Sequence, residues 1–131
     1  MDSVLLRRAN SLIGKSFINC SYAVAEVVPE YRDLLIPYAD PSSDKFNRRR
    51  AFDEGKSKMI KLDTPKDGAI AAFIDNRGFF GHVGIYIKGY IYHYQNDSRF
   101  LSTDSDIILN TMKFCKIEYY INEEIINDYI K

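Results

Sequence analysis

The stretch Gly81-His82-Val83-Gly84-Ile85-Tyr86-Ile87-Lys88-Gly89-Tyr90-Ile91-Tyr92-His93-Tyr94-Gln95 decides the fold. Two runs rich in aromatic and β-branched residues flank Lys88-Gly89, a pair suited to closing a two-residue hairpin. Such a turn sets His93 opposite Gly84 and Gln95 opposite His82. Side chains alternate along a strand, so His82, Gly84, His93 and Gln95 share one face, and Val83, Ile85 and Ile87 take the other. His82 and His93 become diagonal neighbours, roughly 7 Å apart at their backbones and within side-chain reach. Gly84, without a side chain, leaves space for another element to approach.

Outward from the hairpin, Met59 to Leu62, Gly68 to Ile74 and Thr111 to Ile121 read as further strands, and Asn122 to Lys131 as a terminal helix. Upstream, Ser3 to Leu12 is an amphipathic helix with Ser3 as N-cap and Gly14 as its stop. Cys20 to Val28 is apolar nearly all round and closed by Pro29, which predicts a buried helix capped by Asn19. Between Tyr31 and Ser57 lies a helical or looped insertion, with a surface helix from Asp44 to Glu54 carrying Arg48, Arg49 and Arg50. Charge patterning favours a solvated face for that arginine run over an anion contact. Helices first and an antiparallel meander after them predict an α+β domain, its N-terminal helices packed on one face of the sheet.

Composition narrows the function. Residues 1–131 are read as a single domain. Hydrophobic residues make 46% and charged residues 27% of the chain, the balance of a folded globule. Lys plus Arg number 18 and Asp plus Glu 18, so the formal charge is zero, which argues against a nucleic-acid partner. No apolar run approaches a bilayer span. Met1 to Asn10 has no apolar core of a secretory signal, so export, if any, is expected by a phage-lysis or specialised-secretion route. Two cysteines, Cys20 and Cys115, are too few for a disulfide framework.

Cys20 in the first turn of a helix is where backbone N–H groups and the helix dipole lower a thiol pKa and hold an oxyanion. A thiol, a histidine base and a third group orienting that histidine form the constellation of cysteine hydrolases. Here His82 takes the proton, and His93, or alternatively Gln95, orients its ring. Zinc is the rival use of one Cys and two His, but no tight ligand spacing is present, so no metal and no cofactor are assigned. Cys115, beside Phe114 in the last predicted strand, reads as inert core.

These segments resemble a known family. Gly14-Lys15-Ser16-Phe17-Ile18-Asn19-Cys20-Ser21-Tyr22-Ala23-Val24 resembles the cysteine segment of the NlpC/P60 peptidases. Asp67-Gly68-Ala69-Ile70 is similar to their Gly-Asp-Leu strand start. Gly81 to Ile87 is close to their His-Val-Gly-Ile-Tyr strand, and His93 falls where their third polar residue stands. The resemblance runs from Gly14 to Gln95. It implies a papain-like α+β core with Cys20 as nucleophile, His82 as general base and acid, and His93 as orienting residue. It also implies cleavage of peptide or amide bonds, most commonly in bacterial peptidoglycan stem peptides, and for a secreted toxin an immunity protein as inhibitor. CHAP amidases share the Cys-then-His order and are the nearest alternative. Asn19 stands where the family commonly has Asp, and no Tyr-x-Trp-Gly-Gly run precedes Cys20. Ser16 and Asn19 are the side chains left to complete an oxyanion site. Two other readings stay open: a cytoplasmic thiol hydrolase or acyltransferase on the same scaffold, and a catalytically inactive binding domain.

Overall fold

A computed structural model describes residues 3–39, 45–95 and 98–130. Its helices are α1 (Val4–Leu12), α2 (Cys20–Val27), α3 (Arg32–Ala39), α4 (Lys45–Ser57), α5 (Ser105–Met112) and α6 (Glu123–Ile126), with a 3-10 turn at Pro29–Tyr31. Its strands are β1 (Ile60–Leu62), β2 (Ile70–Ile74), β3 (Phe80–Ile87), β4 (Tyr90–Tyr94), β5 (Phe100–Thr103) and β6 (Lys116–Ile121). They form one sheet in the order β1-β6-β2-β3-β4-β5, antiparallel at every pairing. The architecture is α+β.

The hairpin closes as its sequence requires. Ile87 faces Tyr90 and Gly84 faces His93, while Lys88 (φ 53°) and Gly89 (φ 90°) both adopt the positive φ of the tight turn. The ladder stops at Gly84 and His93, so Gln95 never pairs with His82.

The two faces of the sheet are covered by different helices. Ile70, Val83, Ile85, Ile87 and Tyr92 share a core with Leu5 and Ala9 of α1 and Ala23, Val24 and Val27 of α2. The opposite face, with Ala71, Phe73 and Ile91, packs against Ile108, Leu109 and Met112 of α5 and against Phe114. The expectation of N-terminal helices on one face holds for α1, α2 and α3, whose Leu34 and Leu35 join the same core, while the later helix α5 covers the other face.

That α5 exists corrects the reading of Thr111 to Ile121 as one strand. Asp104 Oδ1 accepts from the Asp106 N–H, and Lys113 ends the helix in the left-handed conformation (φ 59°). Ile108, Leu109 and Met112 then fall on one helical side, so the apolar residues before Phe114 follow helical rather than strand spacing. The terminal helix is likewise shorter than Asn122 to Lys131, being confined to Glu123–Ile126. In the insertion, α4 runs from Lys45 to Ser57. The side chains of Arg48 and Arg49 lie outside the described residues, and Arg50 is exposed.

Gly84 is not a gap awaiting a helix. A methyl placed there would sit 2.5 Å from Ile91 Cγ2, 2.9 Å from the Tyr92 carbonyl oxygen and 3.0 Å from His93 Cβ. The side chains of β4 already fill that space. Because one obstacle is backbone, relief requires the β3–β4 ladder to open. Gly84→Ala is expected to cost about 1 to 3 kcal/mol, read as a lower urea midpoint at unchanged slope. A midpoint equal to wild type would show that β4 gives way freely.

Candidate active site

Asn19 builds the start of α2. Its Oδ1 accepts from the backbone N–H groups of Ser21 at 3.1 Å and Tyr22 at 3.2 Å, the ordinary duty of an N-cap. The far end is closed from α1, where Arg8 donates to the carbonyls of Val27 at 2.7 Å and Glu26 at 3.0 Å. The loop before Cys20 is tied to the outer edge of β5. The Gly14 N–H donates to the Phe100 carbonyl and the Phe100 N–H to the Lys15 carbonyl, each at 2.8 Å. Ser16 Oγ donates to the Ser98 carbonyl at 3.4 Å. Phe17 anchors the loop by meeting the rings of Tyr94 and Phe100 edge-on, each at 5.8 Å. Ser16 thus fastens the loop to the segment leading into β5, and Asn19 Oδ1 caps the helix.

The Cys20 thiol lies against the backbone N–H of Val83. That N–H belongs to the peptide joining His82 to Val83. Tyr86 directs its N–H and carbonyl to the β2 side, bonding Ala69 at 2.8 Å and Gly68 at 2.9 Å. By the alternation of an antiparallel strand, the peptide groups of Val83 point to the β4 side, where pairing has ended one residue earlier. The thiol therefore lies near the point where β4 parts from β3.

The imidazoles form a chain. His82 Nε2 and His93 Nδ1 are 2.8 Å apart, and His93 Nε2 is 3.0 Å from Thr103 Oγ1. His82 is 3% and His93 2% exposed, so these bonds are shielded from water. Phe73 packs against the His82 ring at 5.6 Å, and Phe114 stacks on it at 6.4 Å with an interplanar angle of 13°. Gly81 makes room for Phe114, since a methyl there would stand 2.8 Å from its Cε1. His82 points to the α5 face of the sheet, whereas α2 packs on the other, and no hydrogen bond joins the Cys20 thiol to either imidazole among the described residues. Gln95 is exposed.

Burial governs the charge states. It raises the Cys20 pKa, and the opposing N–H of Val83, the N–H and hydroxyl of Ser21 and the cysteine's own N–H do not overcome it. The expectation of a thiol acidified by its helix is thereby corrected: desolvation of the sulfur outweighs the backbone donors. Burial, with the neighbouring His93 second, lowers His82 to about 3. Burial alone lowers His93 to about 4. At neutral pH the site holds a thiol and two uncharged imidazoles.

Thr103 and Phe114 are members of this site that sequence reasoning missed. Only the spacing of Thr103 two residues beyond Leu101, which faces His93, could have indicated its face. Cys115, expected in the core, is exposed. It stands just before β6, its N–H held by the Ile74 carbonyl of β2 at 2.8 Å.

Beside the Cys20 loop an open cleft of ≈ 440 Å³ is lined by Ser16, Phe17, Ile18, Tyr22, Glu26 and Arg32. The Arg32 guanidinium lies over the Tyr22 ring, 5.7 Å from its centroid. Among the described residues no group of three or more His, Cys, Asp or Glu is placed to hold a metal ion, and no helix is long and apolar enough to cross a membrane. No protein-family model and no curated protein matches the chain.

Two measurements follow from these charge states. Iodoacetamide at pH 7, read by peptide mass mapping, is expected to modify exposed Cys115 before Cys20; the reverse order would mean an ionised Cys20. The histidines also make stability fall in acid. Their folded pKa values lie below the ordinary 6.5, so below about pH 6.5 the unfolded chain gains protons that the folded chain refuses. Each contributes up to about 1.4 kcal/mol of lost stability per pH unit until its folded pKa is reached. Urea unfolding is expected to come earlier at pH 5 than at pH 7, and a His82→Leu, His93→Leu double variant to flatten that difference.

Proposed function

We propose that the chain is a cysteine hydrolase of the NlpC/P60 kind on a papain-like core, cleaving peptide or amide bonds in peptidoglycan stem peptides. The observation that carries this reading is the juxtaposition of a helix-N-terminal thiol with the peptide immediately after His82, whose ring is tied to His93. Cys20 Sγ attacks the scissile carbonyl while its proton passes to His82 Nδ1, the ring nitrogen that His93 leaves unused. The imidazolium then protonates the leaving amine, and water, activated by the same nitrogen, releases the acid from the thioester. Because thiol and imidazole start uncharged, proton transfer accompanies attack instead of preceding it as an ion pair. Alignment of thiol and ring is completed by bound substrate, as catalytic hydrogen bonds commonly tighten in the Michaelis complex.

The Cys20 N–H supports an oxyanion role, since Asn19 Oδ1 already occupies the Ser21 and Tyr22 N–H groups. The cleft along Phe17, Ile18 and Tyr22 supplies an apolar wall for a peptide, with Glu26 and Arg32 as charged ends. The stem-peptide substrate itself rests on the sequence resemblance; a cytoplasmic amide substrate or an acyl acceptor other than water fits the same chemistry. A second reading, a binding domain that keeps the fold without the reaction, draws on the raised pKa of Cys20 and the lowered pKa of His82.

Purified muropeptides incubated with the protein and analysed by mass are expected to lose one amide linkage. Cys20→Ala is expected to abolish the cleavage, and His82→Ala to slow it more than His93→Ala, since the proton carrier matters more than its orienting partner. Intact muropeptides with a cleaved amide panel would transfer the activity to another substrate, and no cleavage of either would favour the binding domain.

A further inference from the structure

We propose that Thr103 is a positioning residue that holds His93 by accepting from its Nε2–H, which leaves His93 Nδ1 to accept from His82 Nε2–H and His82 Nδ1 free to take a proton. The inference rests on the hydrolase reading for its kinetic consequence, though not for its structural one. Each link in the chain holds one proton, and a neutral imidazole carries only one N–H, so the whole chain has two orientations. In the first, His82 Nε2–H donates to His93 Nδ1, and His93 Nε2–H donates to Thr103 Oγ1. His82 Nδ1 is then bare and can act as a base. In the second, Thr103 Oγ1–H donates to His93 Nε2, His93 Nδ1–H donates to His82 Nε2, and His82 Nδ1 is already protonated. The base exists only in the first orientation.

Thr103 closes the chain at its outer end. Its hydroxyl lies 3.0 Å from His93 Nε2 and is only half-buried, so in the first orientation its oxygen accepts from the ring while its own proton turns to solvent, whereas the second orientation spends that proton on His93. Thr103 is the last residue of β5, paired with Ile91 on one side and followed at once by Asp104, the cap of α5, on the other. Ladder and capped helix together fix its backbone. When His82 gains the thiol proton, the same orientation turns the acceptor Nδ1 of His93, and behind it the threonine oxygen, toward the new charge. A valine keeps the shape and strand preference of threonine but offers no acceptor.

The test has a resting and a kinetic arm. Nitrogen NMR of ¹⁵N-histidine-labelled wild type at pH 7 is expected to show protons on Nε2 of both His82 and His93, with both Nδ1 atoms bare. A proton on His93 Nδ1 would overturn the proposal, and this arm needs no variant to fold. With a cleavable amide substrate, Thr103→Val is expected to lower kcat roughly tenfold at unchanged KM, and Thr103→Ser to recover most of the loss. Unchanged kcat in Thr103→Val, or a loss that serine fails to rescue, would overturn it. A wild type showing the expected tautomers but cleaving nothing would refute the hydrolase reading and leave the orientation of the chain standing. The opposite tautomers in an active enzyme would refute this inference alone.

Discussion

The hydrogen bond between His82 and His93 is the constraint to which the rest of the site conforms. Two imidazoles buried to within a few per cent of their surface need partners for their ring nitrogens, because an unpaired buried polar group costs about 1 to 3 kcal/mol. Each satisfies the other, and Thr103 satisfies the outer nitrogen of His93. The arrangement works while at least one ring is uncharged, since a proton on each would set two donors and two cations face to face. Phe73 and Phe114 maintain that state by excluding water from the rings. Gly84 lets β3 and β4 approach closely enough for the rings to meet.

The thiol enters from the other side of the sheet. α2 lies on the face formed by Val83, Ile85 and Ile87, and the imidazoles lie on the face covered by α5. What connects them is the point where β4 leaves β3 and exposes the Val83 N–H. The loop from Gly14 to Phe17, bonded to the margin of β5, holds the start of α2 at that opening. One separation of strands thus brings the thiol to the backbone that carries His82.

Desolvation decides the chemistry of the resting site. Helix-end donors favour a thiolate, but the atoms packed around the half-buried sulfur desolvate it, and the imidazole that would balance its charge is held neutral by its own burial. The site therefore stores its proton on sulfur. In the proposed hydrolase, movement of that proton would be coupled to whatever enters the notch between β3 and β4 and changes the solvation there.

Much of this was legible in the residues themselves. Lys88-Gly89 determines the hairpin and its register, because only a tight turn with positive φ joins strands so closely, and the register determines that both histidines share a face. Asn19 before an apolar run determines the start of α2 and the place of Cys20 in its first turn. These are local constraints, set by backbone geometry within a few residues. The tertiary structure alone decided that α5 covers the histidine face, that Phe114 and Thr103 complete the buried chain, and that the thiol lies near the point where β4 parts from β3. Those outcomes depend on contacts between segments far apart in the chain, and desolvation, which sets every charge in the site, exists only once those segments have packed together.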